Sequence, residues 1–133
     1  MPGTTIAKNT FDGNVFFASA VLGWCTANFG GPNSCDKKPP VINGVYYPTA
    51  VSDNLVSQNK VGSNGTSPPE SPPFPPADLL YVQFALLGDE GGSGNCFEKN
   101  KPSGFTSFAS TELDLSNFSP IPGELPTDGC KKP

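Results

Sequence analysis

One spacing limits what this chain can fold into more than any other feature: asparagine, any residue, an apolar residue, two more residues, then asparagine. It occurs at Asn9-Thr10-Phe11-Asp12-Gly13-Asn14 and at Asn95-Cys96-Phe97-Glu98-Lys99-Asn100. It also occurs twice in succession over Asn54-Leu55-Val56-Ser57-Gln58-Asn59-Lys60-Val61-Gly62-Ser63-Asn64. These copies use seven of the chain's eleven asparagines, so the spacing is a property of the fold and not of a generally Asn-rich composition. The apolar centre, Phe11, Val56, Val61 or Phe97, suits a short strand that points one side chain into a core. Asparagine suits the bends, because it tolerates the left-handed backbone region and can hydrogen-bond its own main chain. Short strands with asparagine corners predict an all-β fold, a short right-handed parallel β-helix (solenoid) in which each coil buries its inward residue against the next. An ordinary β-sandwich is the alternative.

At 133 residues the chain is one domain, 1–133, with room for a single modest core. Sixteen prolines and fifteen glycines without a Gly-X-Y period imply long Pro/Gly-rich loops between coils. The coils are expected over 1–100, with loop excursions at 25–40 and at 66–76, where six of eleven residues are proline. Val41-Ile42-Asn43-Gly44-Val45-Tyr46-Tyr47 reads as a short coil around an Asn-Gly turn. The apolar stretch Val15–Trp24 inclines to strands, and Ala77–Leu87 returns to the core. Residues 101–133 read as a C-terminal cap, because a solenoid must not leave its last edge open.

Eight lysines stand against twelve acids, a net charge of −4, and there is no arginine and no histidine. Nucleic-acid recognition leans on arginine and a basic patch, so nucleic acid is excluded as a partner. The commonest general base and transition-metal ligand is missing too. The four cysteines suggest Cys25 with Cys35 and Cys96 with Cys130, although four thiols allow three connectivities. Neither spacing resembles a zinc site, so disulfides in an oxidising compartment, extracellular or at the cell surface, are expected. Met1-Pro2-Gly3 is not followed by a signal-peptide pattern, so the chain reads as a mature form or a fragment. No apolar run approaches membrane-spanning length. Asp89-Glu90 lacks the alternating ligands of a calcium loop. Asn64-Gly65-Thr66 and Asn117-Phe118-Ser119 match the N-glycosylation pattern.

The asparagine repeats, the Pro-rich break and the segments Pro76-Ala77-Asp78-Leu79-Leu80, Gly91-Gly92-Ser93-Gly94-Asn95-Cys96-Phe97 and Leu125-Pro126-Thr127-Asp128-Gly129-Cys130 lead to a family. Together they resemble the C-terminal end of secreted right-handed parallel β-helix repeat proteins, which are pectate-lyase-like in fold. The resemblance covers roughly residues 5–14 and 41–130 and implies an extracellular, carbohydrate-facing role. The family's catalytic features do not carry over. Its lyases use a basic residue, commonly arginine, beside a calcium-held carboxylate, and its hydrolases need neighbouring carboxylates, which no motif makes of Asp78 and Asp89-Glu90. A copper-handling branch has no ligands here, with no histidine and only Met1.

The expected function is therefore a non-catalytic extracellular module associated with a cell surface or with glycans, needing no cofactor and no metal. Trp24, Tyr46, Tyr47 and Tyr81 are the aromatic residues expected to touch a glycan, although Trp24 beside Cys25 also suits a core position. The alternatives are a subunit that self-assembles into a fibre or oligomer through an uncapped N-terminal coil, and a fragment of a polysaccharide lyase or hydrolase.

Overall fold

The computed structural model describes residues 3–14, 17–27, 35, 41–46, 49–64, 75–117 and 119–130, which are mostly strand with few helical residues. The chain makes three passes over the same ground. The first carries β1 (Thr5–Ala7), β2 (Thr10–Phe11), β3 (Ser19–Leu22) and a single helical turn α1 (Trp24–Ala27). After a hairpin of β4 (Val41–Ile42) and β5 (Val45–Tyr46), the second carries β6 (Leu55–Ser57), β7 (Lys60–Val61), β8 (Leu79–Val82) and a 3-10 turn η1 (Ala85–Leu87). The third carries β9 (Cys96–Glu98), β10 (Ser107–Asp114) and β11 (Ser119–Gly123).

Each pass lays its strands beside the equivalent strands of the pass before. One sheet has the order β1-β6-β9, a second pairs β2 with β7, and a third has the order β11-β10-β8-β3. All these pairings are parallel except β10 with β11. Register aligns Ile6, Val56 and Phe97 in one column, Phe11 with Val61 in another, and Val21, Tyr81 and Ala109 in a third. These columns meet in one apolar cluster. Alternation along β8 then turns Leu80 and Val82 to the opposite face of the sheet, where they join Phe84, Leu87, Phe108 and the Cys25–Cys35 pair in a second cluster. Thus β8 is buried on both faces and reads as an unbroken apolar run.

Four sequence expectations change. The bends do not place asparagine in the left-handed region: the residue before it takes that conformation, at Lys8 (φ 59°), Gln58 (φ 56°) and Lys99 (φ 55°), with Asp53 (φ 58°) before Asn54. Each asparagine is needed instead for hydrogen bonds between passes. Val41–Tyr46 is not a coil but an antiparallel hairpin whose Asn43 and Gly44 both have positive φ, the pattern of a type I′ turn, and Val41, Val45 and Tyr46 are exposed. Of the excursion expected at 25–40, Cys25 and Cys35 are core residues packed with Leu80 and Val82 of β8, while residues 28–34 and 36–40 lie outside the described residues. The segment 101–110 belongs to the third pass, because Ser107–Ser110 pairs in parallel with Leu79–Val82.

The two ends of the stack differ. At the far end, β11 covers β10, the Phe97 amide donates to the Pro126 carbonyl, the Gly129 amide donates to the Asn95 carbonyl, and Cys96 is joined to Cys130. At the near end, β1, β2 and β3 are each the edge of their sheet, and among the described residues no strand pairs with their outer sides.

Candidate functional site

Three ladders of side-chain hydrogen bonds run along the stack. Asn9 donates its amide (3.0 Å) and Nδ2 (3.3 Å) to Oδ1 of Asn59, which donates its own two groups to Oδ1 of Asn100 (3.0 Å each). Asn14 donates likewise to Asn64, and Thr4 donates its amide to Asn54, which donates to Asn95. Asn54, Asn59 and Asn95 are 1% exposed, so the ladders satisfy backbone groups that water cannot reach. The Asn14–Asn64 ladder ends on a carboxylate, since Asn64 donates its amide (3.0 Å) and Nδ2 (2.8 Å) to Oδ1 of Asp78.

The acids considered for catalysis or calcium are committed to these structural roles. Oδ2 of Asp78 accepts from the amide and hydroxyl of Thr106, both at 3.0 Å. Burial pushes the Asp78 carboxyl up, but the donors on Asn64 and Thr106 together outweigh it and hold the group below its ordinary 3.8. A lowered folded-state value adds stability above the unfolded value, and that stability is lost as pH falls through the folded one. The unfolding midpoint in urea is therefore expected to fall as the pH drops below about 4, and Asp78→Asn is expected to remove that component of the acid limb. An unchanged acid limb in the variant would show that Asp78 is not the group responsible. Asp89 accepts from the amides of Cys25 (2.8 Å), Thr26 (3.1 Å) and Phe84 (3.3 Å) and from the Thr26 hydroxyl. It lies against Gly23, where any Cβ would overlap the carboxylate. Glu90 is exposed and accepts from the Thr49 amide.

Of the four aromatic residues expected to touch a glycan, the described side chains are those of Tyr46 and Tyr81, and the two differ in exposure. Tyr81 is 4% exposed, packs edge-on against Phe97 at 6.1 Å and receives a hydrogen bond from Asn95 Nδ2 at its hydroxyl. Burial, followed by the charges of Asp128 and Asp89, raises its pKa. Its ring is core and offers no face to a sugar, because the apolar run Leu79–Val82 is buried on both sides. Tyr46 is exposed on the β4–β5 hairpin, Trp24 opens α1, and Tyr47 lies outside the described residues. Cys25–Cys35 and Cys96–Cys130 are both disulfides, consistent with an oxidising compartment. Cys96, Glu98 and Cys130 cluster, but the two sulfurs are bonded to each other and offer no thiolate to a metal. Asn64 is an unsuitable glycan acceptor, since its Nδ2 donates to Asp78, Gly62 and Phe11, whereas Asn117 is exposed. No described helix is long and apolar enough to cross a membrane.

A different group of side chains is brought together by the stacking. Lys8, Gln58 and Lys99 occupy equivalent positions on one side of the Asn9–Asn59–Asn100 ladder, and Thr10, Lys60 and Lys101 occupy equivalent positions on the other. Every lysine among the described residues is at this corner, all of them exposed. Lys60, Lys99 and Lys101 line a groove of about 840 Å³ with Gln58, Asn59 and Pro102. Beyond Lys60 and Pro102 the groove adjoins a second one, of about 530 Å³, that reaches Asp78 and Thr106. Among the described residues the one ion pair here joins Lys99 to its neighbour Glu98 at 4.0 Å, the limit for such a pair, so these cations remain available to a ligand. No protein-family model matches this chain, and no curated protein or solved structure is significantly similar to it. The lysine corner was not among the residues singled out from sequence. Aligning the repeats would have found it, because Lys8 and Lys99 both precede a ladder asparagine and Lys60 and Lys101 both follow one.

Proposed function

We propose that this chain is a set of right-handed parallel β-helix coils acting outside the cell as a non-catalytic module that binds an acidic polysaccharide along its lysine corner. The observation that carries the proposal is the gathering of all described lysines around one ladder in a protein of net charge −4. Three passes with shared strand order support the coil assignment, and the rule that parallel crossovers are right-handed gives the hand. The two disulfides favour a location where acidic polysaccharides are abundant polyanions. Adjacent coils are about 4.8 Å apart, so Lys60 and Lys101 form a column of point charges suited to carboxylates strung along a sugar chain. Nucleic acid fits less well, since its dense charge and base edges are read chiefly by arginine.

The test is equilibrium binding to a polyuronate and to a neutral glucan at several salt concentrations. The polyuronate is expected to bind with an affinity that falls as salt rises, and the neutral glucan is not expected to bind. Lys60→Gln combined with Lys101→Gln is expected to weaken polyuronate binding about ten-fold, near 0.7 kcal/mol per exposed charge. Equal binding of the two polymers, or an unaltered affinity in the double variant, would remove the proposal.

A further inference from the structure

The outer face of the β2–β7 sheet carries a second row of residues beside the lysines. Phe11 and Val61 point into the core, so alternation puts Thr10 and Lys60 on the outer face and, two residues on, Asp12 and Gly62. The pairing extends that far, since the Gly62 amide donates to the Phe11 carbonyl at 2.7 Å. Asp12 leans across to the second pass and lies against Gly62, where a Cβ would overlap its carboxylate. Asp12 is exposed, and among the described residues no donor reaches its oxygens and no lysine pairs with it. Together with Lys60 it lines the second groove, which also takes in Pro102 and Phe105 from the third pass and so lies on the flank of the stack, not at an end.

We infer that Asp12, held over Gly62, selects the sugar that the lysine corner binds: a 1,4-linked uronic acid residue whose ring hydroxyls are unsubstituted. This rests on the polysaccharide reading above and adds the specificity of the same site. The lysine row and the Asp12 row are two residues apart along the strands, about 6.5 Å. A 1,4-linked uronate ring carries its carboxylate on one long edge and the C2 and C3 hydroxyls on the other. A ring lying across the rows with its carboxylate over Lys60 therefore sets both hydroxyls over Asp12. The lysine ammonium only donates and the ionised aspartate only accepts. The reversed ring would set carboxylate against carboxylate, so a single orientation is favourable. Hydroxyl donors to a charged acceptor form the stronger class of hydrogen bond. A sugar O-acetylated at C2 and C3 has no hydroxyl proton to give Asp12, and one sulfated there adds a repelling charge.

Calorimetric titration of the full chain with polygalacturonate, and with the same polymer O-acetylated at C2 and C3, tests this. The native chain is expected to bind the acetylated polymer about ten-fold more weakly. Asp12→Ala is expected to weaken the unsubstituted polymer about ten-fold and to abolish the difference between the two polymers. The sign is decisive, because an aspartate that merely repelled polyanions would, on removal, tighten the binding of both. Gly62→Ala keeps every charge and pushes the Asp12 carboxylate aside, so it is expected to weaken the unsubstituted polymer in the same way. Should a variant not fold, the comparison of the two polymers on the native chain decides alone. Equal binding of the two polymers by the native chain, or tighter binding of the unsubstituted one by Asp12→Ala, would overturn the inference. If that binding still depends on Lys60 and Lys101, the polysaccharide reading stands and only the role of Asp12 falls; absence of polygalacturonate binding would remove both.

Discussion

Replacing Asn59 by alanine is expected to destabilise the fold by about 3–4 kcal/mol, lowering the melting temperature by roughly 10–15 °C. Asn59 is 1% exposed, accepts two hydrogen bonds from Asn9, donates two to Asn100 and donates one more to the Ile6 carbonyl at 3.0 Å. Alanine keeps only the backbone donor. It removes the acceptor of the part-buried Asn9 amide and one of the donors to the Ile6 carbonyl, and it leaves the buried Asn100 Oδ1 with the backbone donor alone; a buried group that loses its partner costs about 1–3 kcal/mol. Asn59→Asp is expected to be at least as harmful, because a second carboxylate oxygen would face Asn100 Oδ1 and the Ile6 carbonyl. Asn9→Ala provides the internal comparison: Asn9 has the same place in its repeat but is exposed, so its loss is expected to stay near 1 kcal/mol or below. Urea denaturation of the three variants measures these differences. Equal losses at Asn9 and Asn59 would mean that the asparagines serve their local bends and that the ladder adds nothing.

Removing the Cys96–Cys130 bridge, by Cys96→Ser with Cys130→Ser, is expected to cost about 3–4 kcal/mol and to expose the far end of the stack. The bridge closes a span of 34 residues, and freeing a loop of that length in the unfolded chain is worth about 4 kcal/mol. The tail held by it contributes Leu125 to the core and the Pro126 carbonyl to the Phe97 amide. Amide exchange at Phe97 and Gly129 is therefore expected to accelerate well before global unfolding. The Cys25–Cys35 bridge spans 10 residues, and its removal is expected to cost about 1 kcal/mol less. If the shorter bridge proved the more costly one, the tail would have to be held mainly by its own packing.

The sequence made the strands at Asn9, Asn54, Asn59 and Asn95 visible because the ladder needs one residue type at one spacing, and that requirement is written locally. It misplaced the bend by one residue, since propensity assigns left-handed geometry to asparagine while the ladder reserves asparagine for bonding. Lys8, Gln58 and Lys99 take the strained position next to it. Tyr81 looks like a ligand-facing aromatic by residue type alone, but it lies inside Leu79–Val82, whose continuous apolar character marks a strand buried on both faces. The lysine corner was missed for a different reason. Lys60 and Lys101 are 41 residues apart and become neighbours only when the passes stack, so no local window contains the site. The Val41–Tyr46 hairpin was half legible: its Asn43-Gly44 turn was read correctly, while its apolar residues suggested burial and are exposed.

The distances along the chain between stacked strands also govern how the protein comes to exist. Asn9 meets Asn59 across 50 residues, and Asn59 meets Asn100 across 41. Among the described strands, only β4 with β5 and β10 with β11 pair locally. Closing such spans comes before any reward from pairing, which places this chain among slow folders. At ribosomal speed, β1 and β2 emerge roughly 3–10 s before β6 and β7 are made. During that interval Ile6 and Phe11 lack the second pass that packs beside them, so the yield of native protein depends on what keeps this short apolar stretch from other chains until β6 and β7 arrive.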